Sequence, residues 1–171
     1  MSLAGSRAIV GTTTDRRRKG GRFAGPTQVG AVHSYPEVDV SSFPALAHVA
    51  VTVTDLERST AWYSALFDSQ PVLDEDEETG GFHHTVYLIG GGQLFGLHTH
   101  PKATGEKFSE MQTGLDHVSF ACRDRSELQD WAARLDQLGI THGGIVDAHY
   151  GSGVSFRDPD GIALEFFAPP A

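Results

Sequence analysis

An internal repeat places the strongest constraint on how this chain of 171 residues can fold. Residues 46–55 recur as residues 115–124, and Leu, His, Val and Asp coincide at matched positions. His48 and His117 are 69 residues apart, and the same spacing separates Trp62 from Trp131. A spacing held over such a length indicates two copies of one structural unit.

Each copy has the pattern of a strand, a helix and three further strands. In the first copy, Val49, Val51 and Val53 alternate with small or polar residues, as in a strand with two different faces. Thr54 or Asp55 is expected to cap the following helix. The elements expected in this copy are strands at 46–53, 71–75, 82–89 and 93–99, a helix at 55–67, and a turn holding the acidic run 74–78.

The second copy repeats this order after a polar connector. Its expected elements are strands at 115–122, 140–146, 154–156 and 162–167, a helix at 124–138 ended by Gly139, a glycine-rich loop at 147–153, and a turn at 158–161. The domain then spans 45–171, with module one at 45–101, the connector at 102–114 and module two at 115–169. Residues 1–44 lack apolar periodicity and are expected to be a flexible N-terminal extension.

Charge and composition narrow the classes of partner. Residues 1–44 hold 6 of the 13 basic and 3 of the 22 acidic residues, which leaves 7 basic against 19 acidic residues in the remainder. A surface that acidic repels phosphate backbones and anionic lipid, so we expect no nucleic-acid or membrane partner and a small-molecule substrate instead. The single cysteine, Cys122, and the lack of a signal sequence predict a cytoplasmic protein, with Cys122 buried and inert.

Three side chains stand at repeat-related positions and predict a metal site. His48 and His117 correspond to each other, and Glu165 corresponds to Gly96 in the first copy. The residues that share a strand face with each histidine are small, which leaves room for a metal and a substrate. Two imidazoles and one carboxylate are a common ligand set for a divalent first-row metal with open positions. The alternative is that the histidines are hydrogen-bonded core residues and Glu165 belongs to a buried ion pair.

These residues carry a family resemblance. The two L-x-H-V strand openings, the two helices and the closing segment 158–165 resemble the vicinal oxygen chelate superfamily, which includes glyoxalases, bleomycin resistance proteins and extradiol dioxygenases. The resemblance implies an α+β fold in which two βαβββ modules, related by pseudo-twofold symmetry, form a curled mixed sheet, or cup, with the helices outside. It also implies that His48, His117 and Glu165 are metal ligands, and that Gly96 occupies the place of a fourth ligand in glyoxalase I.

Several further residues remain candidates with open roles. His98 shares a strand face with Gly96, so it is a candidate catalytic acid or base, a further ligand, or a solvated residue at a strand end. His83 and His84 are adjacent and point to opposite faces, so only one of them can line the cup. The loop containing His149 either closes over the site or is a plain hairpin.

The sequence leaves three classes of function open. The first is a divalent-metal-dependent enzyme whose substrate chelates the metal through vicinal oxygens, with extradiol-dioxygenase-like chemistry slightly favoured. The second is a lyase or thiol transferase, similar to glyoxalase or fosfomycin-resistance enzymes, and the third is a metal-free binding protein similar to bleomycin resistance proteins. The favoured metal is Fe²⁺ or Mn²⁺, with Zn²⁺, Ni²⁺ or Co²⁺ as alternatives. Exposed sheet edges predict a homodimer.

Overall fold

The computed structural model describes residues 44–170, so the expected N-terminal extension lies outside the described part except for Pro44. The chain follows the expected order of a strand, a helix and three strands, twice over. The first module comprises β1 (His48–Thr52), α1 (Leu56–Phe67), β2 (Leu73–Glu77), β3 (Phe82–Leu88) and β4 (Leu94–Thr99). The second comprises β5 (Val118–Ala121), α2 (Arg125–Gln137), β6 (His142–Ala148), β7 (Gly151–Arg157) and β8 (Ala163–Ala168).

Each module forms its own four-stranded mixed sheet with the same strand order. The orders are β1-β4-β3-β2 and β5-β8-β7-β6, so the first strand of each module pairs in parallel with the last strand. The other pairings in both sheets are antiparallel. The α+β fold with two βαβββ modules is therefore confirmed, and its strands are hydrogen-bonded as two separate sheets.

Local sequence explains where the helices begin and end. Asp55 and Asp124 are the N-caps, and their carboxylates accept the backbone N–H groups of Arg58 at 3.0 Å and Glu127 at 2.9 Å. These bonds satisfy N–H groups that the first turn of a helix leaves without an intrahelical partner. Gly139 follows α2 with φ of 67°, a conformation that glycine adopts without steric cost.

One hydrophobic core lies between the helices and the faces of the two sheets that the helices cover. The ring centroid of Trp62 lies 6.4 Å from that of Phe156 in module two, and Trp131 stacks on Phe166 with ring centroids 4.6 Å apart. Both tryptophans are half-buried against the core, as the repeat predicts. Cys122 is buried as expected, and burial, helped by Glu127 and Asp124, raises its pKa to about 11. A thiol with that pKa stays protonated and unreactive near neutral pH.

Three sequence-based expectations about local structure are wrong. The acidic run is not a turn, because Leu73–Glu77 forms the edge strand β2. Residues 147–153 are not a loop, since all but His149 and Tyr150 belong to the paired strands β6 and β7. The first strand of module two begins at Val118, so His117 lies just before the strand. In each case, pairing with a neighbouring strand decided a boundary that local composition left ambiguous.

A carboxylate-rich turn joins the two modules. The turn at 158–161 is confirmed, but its two aspartates are buried, with 5% of Asp158 and 7% of Asp160 exposed. Asp160 accepts the Thr54 backbone N–H at 2.9 Å, the Thr54 hydroxyl, and the Arg58 guanidinium at 2.7 Å. Asp158 accepts the Tyr63 hydroxyl at 3.0 Å and two backbone N–H groups of its own turn. This network ties the turn before β8 to the end of β1 and the start of α1.

The network makes a testable contribution to stability. We expect Asp160→Ala to lower the free energy of unfolding by about 1–3 kcal/mol, because it removes a buried carboxylate that accepts three hydrogen bonds from the exposed residues Thr54 and Arg58. Urea denaturation would measure the change. The control is Asp130→Ala on the exposed face of α2, which should shift the unfolding free energy by no more than about 0.5 kcal/mol. Equal effects of the two substitutions would contradict a stabilising role for the Asp160 network.

Candidate functional site

The face of the module-two sheet that points away from the helices, called the outer face below, brings two of the three predicted ligands together. His117 Nε2 lies 3.7 Å from Glu165 Oε2, and the same carboxylate oxygen accepts the Ser119 hydroxyl at 2.9 Å. Ser119 and Glu165 are direct neighbours in the parallel β5–β8 pairing, which puts both on one face. The imidazole is half-exposed, and 23% of the Glu165 side chain is exposed, so both groups are accessible from solvent.

Neighbours of this pair orient its donor atoms. Asp116 Oδ1 lies 2.6 Å from His117 Nδ1, which favours a proton on Nδ1 and leaves Nε2 with a lone pair. On the other side, a Cβ added at Gly153 would lie only 2.6 Å from Glu165 Oε1. Gly153 thus provides the space that the carboxylate occupies. An imidazole oriented by a second carboxylate, beside an accessible glutamate, is a common arrangement around a bound metal.

The outer face of module one carries His48 and His98. His48 is exposed on β1, opposite Leu94 of β4, and His98 lies opposite Thr52 on the same face. Between them, Ala50 pairs with Gly96, so only small residues separate the two histidines on this face. A Cβ added at Gly96 would lie 3.1 Å from His98 Nε2, so the imidazole of His98 reaches back over this glycine.

The structure settles which of the adjacent histidines faces this surface. His84 lies opposite His98 in the β3–β4 pairing, and their ring centroids are 5.4 Å apart. His83 points to the other face, where its ring nitrogens lie 2.8 Å from Asp76 and 2.6 Å from Asp74. Hydrogen bonds to Asp74 and then Asp76 raise the pKa of His83. His83 therefore bridges two carboxylates of the edge strand β2, and His84 lines the same face as His98.

The environment of His98 favours its neutral form. Burial lowers the pKa of His98, and the neighbouring imidazoles of His84, His100 and His48 lower it further. Its ring also stacks on Phe82, with centroids 4.8 Å apart and planes 15° apart. A neutral imidazole near pH 7 can accept a proton, which is the property required of a general base.

The predicted ligand set is divided between the two faces. His117 and Glu165 are adjacent, but within residues 44–170 no three His, Cys, Asp or Glu side chains are grouped closely enough to hold a metal ion. His48 is therefore not grouped with the other two in the described chain. The donor chemistry of the His117–Glu165 pair, with Asp116 behind the imidazole, still fits two of the ligands of a divalent metal.

Sequence reasoning missed two contributors to these surfaces and one to the network that joins the modules. Phe82 was assigned only to a strand, Ser119 only to a small-residue face, and Asp160 only to a turn. Nothing local in the sequence marks the contact of Ser119 with Glu165, which are 46 residues apart.

Comparison with known proteins identifies the family. Residues 45–166 match the family described as the Glyoxalase/Bleomycin resistance protein/Dioxygenase superfamily. The chain belongs to this superfamily. The match covers both modules and the connector, so the resemblance inferred from the repeated histidine strands is confirmed.

Members of this superfamily with names or solved structures are similar to the chain to different extents. MhqA of Bacillus subtilis (strain 168), named as a candidate ring-cleaving dioxygenase, is 26% identical over 124 residues. That alignment covers 72% of the chain but only 39% of MhqA, so the chain spans about two fifths of that relative. The glyoxylase/bleomycin resistance protein/dioxygenase domain from Frankia sp. EAN1pec is 29% identical with a TM-score of 0.68, over 75% of this chain and 100% of that one.

A solved structure with a bound metal has a similar fold. A variant of the fosfomycin resistance protein FosX from Listeria monocytogenes, complexed with Mn(II) and 1S,2S-dihydroxypropylphosphonic acid, has a TM-score of 0.55. It is 19% identical, over 75% of this chain and 94% of that one, so the likeness concerns the fold. That FosX variant holds a divalent metal and a small molecule. None of the helices in residues 44–170 is long and apolar enough to cross a membrane.

Proposed function

We propose that this protein is a divalent-metal-dependent enzyme that cleaves an aromatic ring bearing two vicinal hydroxyl groups. The observation that carries the proposal is the His117–Glu165 pair, 3.7 Å apart and accessible, with Asp116 orienting the imidazole. The similarity to MhqA, which is named for ring cleavage, supports this chemistry over the other reactions of the superfamily. His48, His117 and Glu165 are the proposed ligands, and Fe²⁺ or Mn²⁺ is the proposed metal.

A second copy of the chain is proposed to complete the ligand set. His48 lies on an exposed face and is not grouped with His117 and Glu165 within residues 44–170. The outer face of each sheet is open, and each sheet ends in edge strands whose backbone groups can pair or be covered. In a homodimer, the module-one face of one copy opposes the module-two face of the other, which joins His48 to the His117–Glu165 pair.

Different residues of the chain have different roles in the proposed reaction. When bound, the metal would supply a Lewis acid for the two substrate hydroxyl groups and, as iron(II), would pass electrons from the aromatic ring to dioxygen. Ser119 holds the Glu165 carboxylate in place through its hydroxyl, and Asp116 holds the proton of His117 at Nδ1. His98, whose pKa is lowered, accepts a proton from a substrate hydroxyl group. Gly96 leaves the space over which His98 extends.

Dioxygen uptake tests the proposed reaction. Protein loaded with iron(II) under anaerobic conditions is mixed with air-saturated buffer and an aromatic vicinal diol, and oxygen consumption and the ring-opened product are recorded together. We expect uptake of one dioxygen per ring opened, and none with the corresponding 1,3-diol, because two adjacent oxygens are needed for chelation. Metal-loaded protein that consumes no dioxygen across a panel of vicinal diols would contradict ring cleavage and favour the lyase or thiol-transfer chemistry of the superfamily.

A further inference from the structure

The segment that leads to His117 has no regular secondary structure of its own. Residues 100–117, between the end of β4 at Thr99 and the start of β5 at Val118, contain neither helix nor strand. Backbone pairing between β8 and its neighbours fixes the position of Glu165, whereas His117 lies just outside that pairing. An irregular segment retains conformational freedom unless other contacts restrict it, so the position of this proposed ligand depends on such contacts.

Arg157 of β7 contacts this segment at Glu110, seven residues before His117. Its Nη1 and Nη2 atoms donate hydrogen bonds to the two carboxylate oxygens of Glu110, at 3.1 and 2.5 Å. In the described part of the chain, these are the side-chain hydrogen bonds that join residues 109–116 to another element. Nη1 also donates to the carbonyl oxygen of Gly161 at 3.1 Å. The paired contact restricts rotation of both side chains, because the planar guanidinium matches the two oxygens at once.

The Arg157–Glu110 pair borders the same cavity as two of the proposed metal ligands. This cavity on the outer face of module two has a volume of about 190 Å³, and its lining includes Glu110, Arg157, His117 and Glu165. Ser155 lies opposite Glu165 in the β7–β8 pairing, and Arg157 follows two residues later on the same face. An extended run of seven residues spans about 23 Å, so the segment must turn back for Glu110 and His117 to reach one cavity.

Charge around the cavity explains why Arg157 is suited to hold the segment. Three of the lining residues carry carboxylates, namely Glu110, Asp116 and Glu165. Arg157 is the one Arg or Lys among the described residues that line the cavity. Hydrogen bonds from Arg157 lower the pKa of Glu110, and Glu110 in turn raises the pKa of Arg157, with a smaller contribution from Asp116. Arg157 therefore attracts both ends of the segment, at Glu110 and at Asp116.

We propose that Arg157 is a positioning residue for the metal site. It binds Glu110 and attracts Asp116, and so holds the segment in the turned conformation that places the His117 imidazole beside Glu165. Arg157 itself contacts neither the metal nor the substrate, because it acts through the segment. This inference rests on the proposed function, since it explains what keeps one ligand of that site in place.

Substitution of Arg157 separates positioning from simple electrostatics. Arg157→Gln removes a positive charge beside a cation site, and by charge alone this would tighten Mn²⁺ binding. We expect the opposite in full-length protein, a roughly tenfold loss of Mn²⁺ affinity, because the His117 imidazole is no longer held beside Glu165. Arg157→Lys keeps the charge but not the paired hydrogen bonds, so its affinity should lie between those of Arg157→Gln and the wild type. Isothermal titration with Mn²⁺ measures all three proteins.

Two further substitutions test how Arg157 acts and whether its effect is specific. Glu110→Gln breaks the same contact from the other side, so the double variant Glu110→Gln/Arg157→Gln should lose less affinity than the product of the two single losses. Arg125→Gln is the matched control, because Arg125 also makes two hydrogen bonds to one carboxylate, that of Asp147, at 3.0 and 2.9 Å, away from the cavity. Its Mn²⁺ affinity should stay within about twofold of the wild type. Losses that multiply, or an equal loss in Arg125→Gln, would overturn the proposal.

Hydrogen exchange without metal tests the position of the segment directly. In full-length protein treated with chelator, Arg157→Gln should speed amide exchange of residues 109–117 by roughly fivefold, and Arg125→Gln should leave it unchanged. Slow exchange of the amides in β8 confirms that each variant is folded. Unchanged exchange of the segment in Arg157→Gln would overturn the proposal.

The two measurements separate this inference from the proposed enzyme function. If the wild type binds Mn²⁺ and Arg157→Gln binds it equally well or more tightly, the positioning proposal fails and the proposed function stands. If the wild type binds no divalent metal but exchange of the segment still depends on Arg157, the proposed function fails, and the contact by which Arg157 holds the segment is supported.

Discussion

Glu165→Ala is expected to weaken divalent-metal binding by more than about 100-fold, since it removes the only carboxylate among the proposed ligands. Ser119→Ala leaves the carboxylate in place but removes its hydrogen bond of 2.9 Å, so we expect a loss of about tenfold. Competition with a coloured chelator gives the affinities, and elemental analysis gives the metal content. Ring-opening activity should fall in the same order.

An exposed glutamate elsewhere provides the control for this series. Glu78→Gln, in the turn between β2 and β3, removes one negative charge at a position far along the sequence from the site and should leave metal affinity unchanged. Unchanged metal affinity in Glu165→Ala would show that this carboxylate is not a ligand. A reduction of similar size in Glu78→Gln would show that net charge, and not coordination, governs metal binding.

Mixing two inactive variants is expected to restore activity, which would reveal a site shared between copies. His48→Ala lacks one proposed ligand, and Glu165→Ala lacks another. If His48 serves the site of the opposite copy, a mixed dimer has one site with both ligands intact and one site with neither. Random reassortment of equal amounts then gives about one quarter of the wild-type number of sites.

The complementation experiment has a clear opposite outcome. The two variants are mixed, unfolded and refolded together, and ring opening or bound metal is measured beside each variant refolded alone. A mixture as inactive as its components would place the complete site within one chain and contradict the shared arrangement. A mass measurement by light scattering accompanies the assay, because a monomer at tens of micromolar would exclude the homodimer directly.

Sequence reasoning predicted the modules because their signals are local and repeated. The alternation of Val49, Val51 and Val53 predicts β1 from a few neighbouring residues. Likewise, Asp55 caps α1 by accepting the backbone N–H of a residue only three positions away. The repeat then carried the same interpretation to module two. A strand was expected at 71–75, but its acidic end was assigned to a turn, because local sequence does not show that His83 of the neighbouring strand contacts both Asp74 and Asp76.

The sequence by itself determined the residue types at the candidate site and the faces they share along one strand. Because side chains alternate between the two faces of a strand, the sequence alone determines which residues of the same strand share a face with His48 or Glu165. Only the tertiary structure decided that His84 rather than His83 joins His98, because that depends on the register between β3 and β4. It also decided that Asp160 is buried against Thr54 and that His48 stands apart from the His117–Glu165 pair. The first outcome follows from strand register within one sheet, and the other two follow from how the two modules pack on a common core. Contacts between residues more than 40 positions apart leave no periodic trace in a single sequence.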